Sequence, residues 1–250
     1  MSTCFAYQGA PYAIPEYKAE AHRGAWDYLS RPGSWWSGDE RIAIAAASRA
    51  ALACPLCVER KAALSPYAVD GRHVSVPSVL DASVIDTIHR ITTDPARLTE
   101  DWVAGRITEA FGYGHYIEMV SVIVTVISID TLHRALGLPL EPLPAPVPGD
   151  PDRYRPPGAA RDVAWVPMIY PENLTEREDD IYFGAPRVGH VIRALSLVPD
   201  AVRWLARLSE AHYVSMPEVM DFGASGHLTL SRPQIELVAA RTSRVNDCFY

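Results

Sequence analysis

Residues 37–61 constrain this chain more than any other stretch. They open Ser37-Gly-Asp-Glu40, continue as an alanine-rich run over 42–53, and close Cys54-Pro-Leu-Cys57-Val-Glu-Arg60-Lys61. Ser-x-x-Glu is a capping-box pattern, in which each side chain bonds the other residue's free backbone N–H at a helix start. The alanine run has high helix propensity and no internal breaker. Pro55 interrupts that helix but suits the first turn of another. The stretch predicts a helix over 42–53 and a second over 55–63, with Cys54 at the second helix's N-terminus. The pattern then returns at the end of the sequence. A shift of 194 positions places Ser37 on Ser231, Glu40 on Gln234, Ser48 on Thr242 and Cys54 on Cys248. Tyr250 stands one residue before the counterpart of Cys57, so the second copy is expected to be truncated and the chain a fragment.

Helical patterning extends over 16–29, 80–91, 97–111, 116–136, 186–197, 199–213, 216–222 and 235–245, whereas 1–15, 69–76 and 165–184 read as irregular. The β-branched run 120–129 fits a buried strand by propensity. Its surroundings argue for helix: Glu118, Asp130 and Arg134 do not alternate, and Gly137 follows like a helix C-terminus. Residues 139–157 carry eight of the chain's 21 prolines, a composition that favours extended backbone without a core of its own. No segment shows strict alternation bounded by hairpin turns. The expected fold is all-α: a first helical unit over 1–138, a Pro-rich linker over 139–165 and a second unit over 166–250.

The net charge of -7, with no basic run, argues against a nucleic-acid partner. The longest apolar stretch, 119–129, is too short to span a bilayer, and the N-terminus has neither the basic nor the apolar part of a signal peptide. These features lead to an expectation of a cytoplasmic protein with no membrane partner.

Four cysteines, Cys4, Cys54, Cys57 and Cys248, are too few for a disulfide scaffold. Cys-x-x-Cys at a helix start puts two sulfurs on one side of a turn, where free N–H groups and the helix dipole favour a thiolate. Arg60 and Lys61, three and four residues after Cys57, fall on its face and are expected to lower its pKa further. Such a pair suits a peroxide cycle in which Cys57 becomes a sulfenic acid and Cys54 condenses with it to a disulfide. Two inert buried cysteines fit the same pattern. Zinc requires two further ligands; Cys4 and Cys248 are isolated and no His-x3-5-His follows, so no metal or cofactor is expected. His115, Glu118, Asp130 and His133 recur at helical spacing and read best as groups that satisfy one another between helices. Trp35-Trp36 reads as an anchor for a helix junction, and His190 and His212 as surface or cap residues.

Residues 236–250, Glu236-Leu-Val-Ala-Ala-Arg-Thr-Ser-Arg-Val-Asn-Asp-Cys248-Phe-Tyr, resemble the motif helix of the alkylhydroperoxidase D-like/carboxymuconolactone decarboxylase-like superfamily. There a Glu stands twelve residues before a Cys-x-x-Cys-x-x-x-His. Residues 114–138 resemble the long helix that follows the motif. The resemblance covers roughly residues 34–138 and 186–250 and points to the two-copy members of the superfamily. It implies a thiol-dependent, peroxiredoxin-type peroxidase with a small peroxide substrate, an external thiol reductant and a homo-oligomeric assembly. By the same resemblance Cys57 is peroxidatic and Cys54 resolving, while Glu236 and Cys248 are the relay acid and resolving thiol of the second copy. The first copy departs from the pattern, with Ile42 at the Glu position and Lys61 at the His position; Glu40, half a turn earlier, is the nearest substitute acid. The alternative within the same scaffold is a non-redox lyase or helical assembly module whose cysteines only pack.

Overall fold

The computed structural model describes residues 4–74, 78–108, 110–185, 187–219, 221–226, 228–246 and 248. It is mostly helical. Among these residues the helices are α1 (Glu16–Ser30), α2 (Gly38–Ala51), α3 (Pro55–Ala62), α4 (Ala82–Thr93), α5 (Glu100–Ala104), α6 (Tyr113–Ala135), α7 (His190–Arg193), α8 (Pro199–His212) and α9 (Arg232–Val245). The only sheet among them is an antiparallel pair of two-residue strands, in which Ala159 faces Ile169 and Ala160 faces Met168.

The core forms around α6. Met119, Val122, Ile123, Val126 and Ile129 are buried there, and the helix is apolar on nearly every face, which fits a position inside the fold. Each such side chain contributes about 1.5–3 kcal/mol on burial. The β-branched run is therefore helix, and α6 as a whole is long and apolar enough to cross a membrane; 61% of its apolar window is buried inside the protein, as in a core helix. α2 packs on α4 and α6, α1 lies beside α2, and α8 packs on α1 and α6.

Polar residues of α6 tie this arrangement together. Glu118 is fully buried, faces the equally buried Arg41 of α2 at 3.4 Å, and accepts the Trp35 N–H at 2.7 Å. A side chain at Gly33 would meet a Glu118 carboxylate oxygen at 1.7 Å, so the close approach of that loop requires glycine. Asp130 takes a two-pronged bond from Arg49 of α2, at 2.7 and 2.8 Å. His133 bonds the Pro139 carbonyl, and the Trp36 indole N–H donates to the His115 carbonyl, anchoring the turn before α2 to α6.

The Pro-rich segment is extended and strapped along the first helices. The Trp26 indole N–H donates to the Pro142 carbonyl, the Val147 N–H donates to Ser30, and the N–H groups of Asp152 and Arg153 donate to Gly33 and Ser34. Three expected helices are shorter than their sequence pattern. In 216–222 only a 3-10 turn, Met216–Glu218, forms, and residue 220 lies outside the described residues. In 97–111 only α5 forms, because Thr99 caps its start and the chain turns away after Gly105. In 186–197 only α7 forms, and residue 186 lies outside the described residues.

Candidate functional site

The junction between α2 and α3 places the paired cysteines. Ser37 and Glu40 form the capping box that opens α2. After α2 ends, the axis turns by 60° into α3. Cys54 is the N-cap of α3 in extended conformation, Pro55 follows in the first turn, and Cys57 sits one turn along. Arg97 closes the other end of α3 by donating to the Arg60, Lys61 and Ala63 carbonyls.

Two histidines from further along the chain meet the sulfurs. His73 comes from the loop after α3, and its Nδ1 lies 3.6 Å from Cys54 Sγ and 3.5 Å from Cys57 Sγ. His89 projects from α4, with its Nδ1 3.3 Å from Cys57 Sγ. The one coordinating atom that each of these four side chains offers lies within 4.8 Å of the other three. Both cysteines are free thiols, and Cys54, Cys57 and His89 are 0%, 3% and 0% exposed. Asp86, one turn before His89 on α4, accepts from His73 Nε2 at 2.8 Å and from Arg60 at 2.5 Å. Arg60 also donates to the Val69 carbonyl, which pins the His73 loop against α3.

The charges follow from these contacts. Burial opposes a charge on His73, but Asp86 and the two sulfurs outweigh it and push the imidazole up to about 10, so it is an imidazolium at neutral pH. Burial works against ionisation of Asp86 as well, yet His73 and Arg60 hold its carboxyl far below the usual range. Burial also pushes the Cys54 thiol up, while the backbone N–H groups of Cys57 and Val74, together with His73, bring it down to about 7. His89 is held neutral, lowered to about 4 by burial and by the neighbouring His73 charge. The metal-free site is thus an imidazolium shared by two sulfurs, with a carboxylate behind it and a second, neutral imidazole beside Cys57.

The residues expected from sequence divide into two groups. Cys54 and Cys57 come together as their spacing implies. Arg60 is close, but it holds Asp86 and not a sulfur. Lys61 is exposed, and its side chain makes no hydrogen bond or ion pair among the described residues. Glu40 is committed to the Ser37 cap at the far end of α2, a helix about 20 Å long at 1.5 Å per residue. Glu236 lies near the start of α9 and Cys248 beyond its C-terminal end. Glu236 accepts from Tyr213 and Arg232, which hold its pKa low, and Cys248 is exposed. Phe249 and Tyr250 lie outside the described residues.

The expectation that the cysteine pair lacks two further ligand-type neighbours is corrected by His73 and His89. Each follows the previous ligand residue by sixteen positions, a spacing that no short motif captures. His212 is likewise more than a surface residue, since its ring nitrogens bond His22 at 2.6 Å and Ser128 at 2.9 Å and join α8 to α1 and α6. Comparison with protein-family models, with curated proteins and with solved structures returns no match to this chain.

Proposed function

We propose that the chain is a thiol-dependent oxidoreductase of the alkylhydroperoxidase D-like type that reduces a small peroxide through a Cys54/Cys57 dithiol cycle. The observation that carries this reading is the single imidazole, His73, shared by both sulfurs and backed by Asp86. It supplies the acid–base group that neither Lys61 nor Glu40 provides. Cys57, in reach of both imidazoles, attacks as the thiolate on the terminal oxygen of the peroxide. The O–O bond breaks, the alkoxide takes the Nδ1 proton of His73, and Cys57 is left as a sulfenic acid beside the alcohol. The Cys54 thiol then gives its proton to His73 and attacks the Cys57 sulfur. Hydroxide leaves and recovers that proton as water, and a Cys54–Cys57 disulfide remains. An external dithiol reduces it, so each turnover consumes one peroxide and one dithiol and yields alcohol, water and the oxidised reductant.

The two-unit organisation belongs to the same proposal. It is supported by the matching capping boxes of α2 and α9, each followed by a cysteine. So does a homo-oligomer, supported by Leu237, Val238 and Val245 of α9, which are 72%, 59% and 66% exposed. Size-exclusion chromatography is expected to show an assembly larger than one chain, and a clean monomer would remove that part. The burial of both sulfurs favours the alternative, a non-redox scaffold with packing cysteines. Free-thiol titration before and after one equivalent of hydrogen peroxide separates the two readings. Loss of two thiols per chain, abolished by Cys57→Ser, supports the cycle. An unchanged thiol count, or a Cys57→Ser variant that consumes peroxide as fast as the parent, refutes it.

A further inference from the structure

We propose that Cys54, Cys57, His73 and His89 also form a four-coordinate site for a soft divalent cation, with zinc as the fitting ion. Two thiolates and two imidazoles are a zinc donor set. With Zn–S near 2.3 Å and Zn–N near 2.0–2.1 Å, the S···N edge of a tetrahedron is about 3.6 Å. Three of the four S···N separations, 3.6, 3.5 and 3.3 Å, lie close to that length without an ion, and the fourth is within 4.8 Å.

Three further features separate this cluster from a chance meeting of polar groups. The set is closed, because the sulfurs and His89 are almost fully buried, as in structural zinc sites that leave no position for substrate. It has an outer shell, because Asp86 accepts from the far nitrogen of His73 and so fixes Nδ1 toward the sulfurs, the usual carboxylate–histidine–metal arrangement. It also joins separate parts of the chain, since the ligands come from α3, the following loop and α4, and an ion would cross-link all three. None of these elements provides the site alone.

A metal at this position and the dithiol cycle exclude one another, because a disulfide has no thiolate to donate. The inference nevertheless stands whether or not the dithiol reduces peroxide. The metal-bound form would be reduced and shielded, and an oxidant strong enough to form the disulfide would release the ion.

The test uses the full chain, reduced and stripped with a chelator, then titrated with Co2+ and back-titrated with Zn2+. One Co2+ per chain is expected, with the thiolate charge-transfer band and the strong visible bands of a tetrahedral ion, both bleached by Zn2+. Zinc is expected to protect Cys54 and Cys57, and not Cys248, from alkylation; this peptide readout needs no variant. Asp86→Asn, which keeps all four ligands, is expected to weaken binding by about 10–100-fold. His73→Ala should weaken it further, with circular dichroism reporting whether either variant has folded. Failure of the reduced protein to bind Co2+ or Zn2+, or equal alkylation of Cys54 and Cys57 with and without zinc, overturns the site. If that protein still loses two thiols to peroxide, the redox reading survives alone. If it binds zinc but its stripped form ignores peroxide, the metal site survives alone.

Discussion

Helices α2 and α9 begin alike and end differently. Both are fourteen residues long, both open with a capping box, and both run into a cysteine. α2 is enclosed by α4 and α6, buries Ile44, Ala45 and Ser48 completely, and delivers its cysteines to two histidines and a carboxylate. α9 buries only Arg232 and Ile235 and leaves Leu237, Val238 and Val245 exposed. Its Glu236 is tied to Arg232, whose guanidinium donates to the carbonyls of Glu218, Val219, Asp221 and Ala224. The end of α9 and the end of α3 face each other across a groove of about 330 Å³ bordered by Lys61, Arg97, Val245 and Asn246. The same local signals thus produce a chemical site only where neighbouring helices cover the motif and bring side chains to it.

The comparison can be tested by stability measurements, beginning with the ion pairs. Arg41→Ala leaves Glu118 buried without its cation and is expected to cost about 3–5 kcal/mol in denaturant unfolding. The corresponding pair on α9, Arg232–Glu236, has a Glu side chain that is 41% exposed. Glu236→Ala should cost less than about 1 kcal/mol, and equal losses from the two variants would erase the distinction. Next in size, Ile44→Ala on α2 should cost about 2–5 kcal/mol. Leu237→Ala on α9 should stay within about 0.5 kcal/mol.

Glu118 adds a pH signature to the α2 side. Burial raises its pKa from 4.5 to about 7, against the pull of Arg41 and the backbone N–H groups of Trp35, Trp36 and Ser34. The folded protein therefore holds this proton more tightly than the unfolded chain does. The contribution is full below pH 4.5 and is lost as pH rises to about 7. The stability difference between the parent and Glu118→Gln should shift in that window, and a flat difference would show that the buried carboxyl is not raised. At the helix starts, Ser37→Ala should cost about 1 kcal/mol through its cap, with Ser231→Ala costing less because α9 carries little of the core. Thermal melts of the two variants check the order.

Much of α2 and α3 was legible in the sequence because local chemistry decides it. Ser37 and Glu40 fix one end, and Pro55 fixes the next start. The same capping box rules out Glu40 as a relay acid, since a carboxylate bonded at the N-terminus of α2 is not free at Cys54. His73 and His89 were not legible. One lies on a loop and the other on α4, and only the packing of α4 against α2 and α3 brings them to the sulfurs. The helix expected over 97–111 shortens to α5 because an apolar period does not reveal that the chain turns after Gly105. α6 was legible despite its β-branched residues, because length and a lack of alternation outweigh strand propensity.

The most direct test of the account is a disulfide map of the reduced, metal-free protein after one equivalent of hydrogen peroxide, read by mass spectrometry of alkylated peptides. The account predicts a Cys54–Cys57 disulfide with Cys248 still free, despite Cys248 being the more exposed thiol. Oxidation confined to Cys248, with Cys54 and Cys57 both recovered as free thiols, would contradict it.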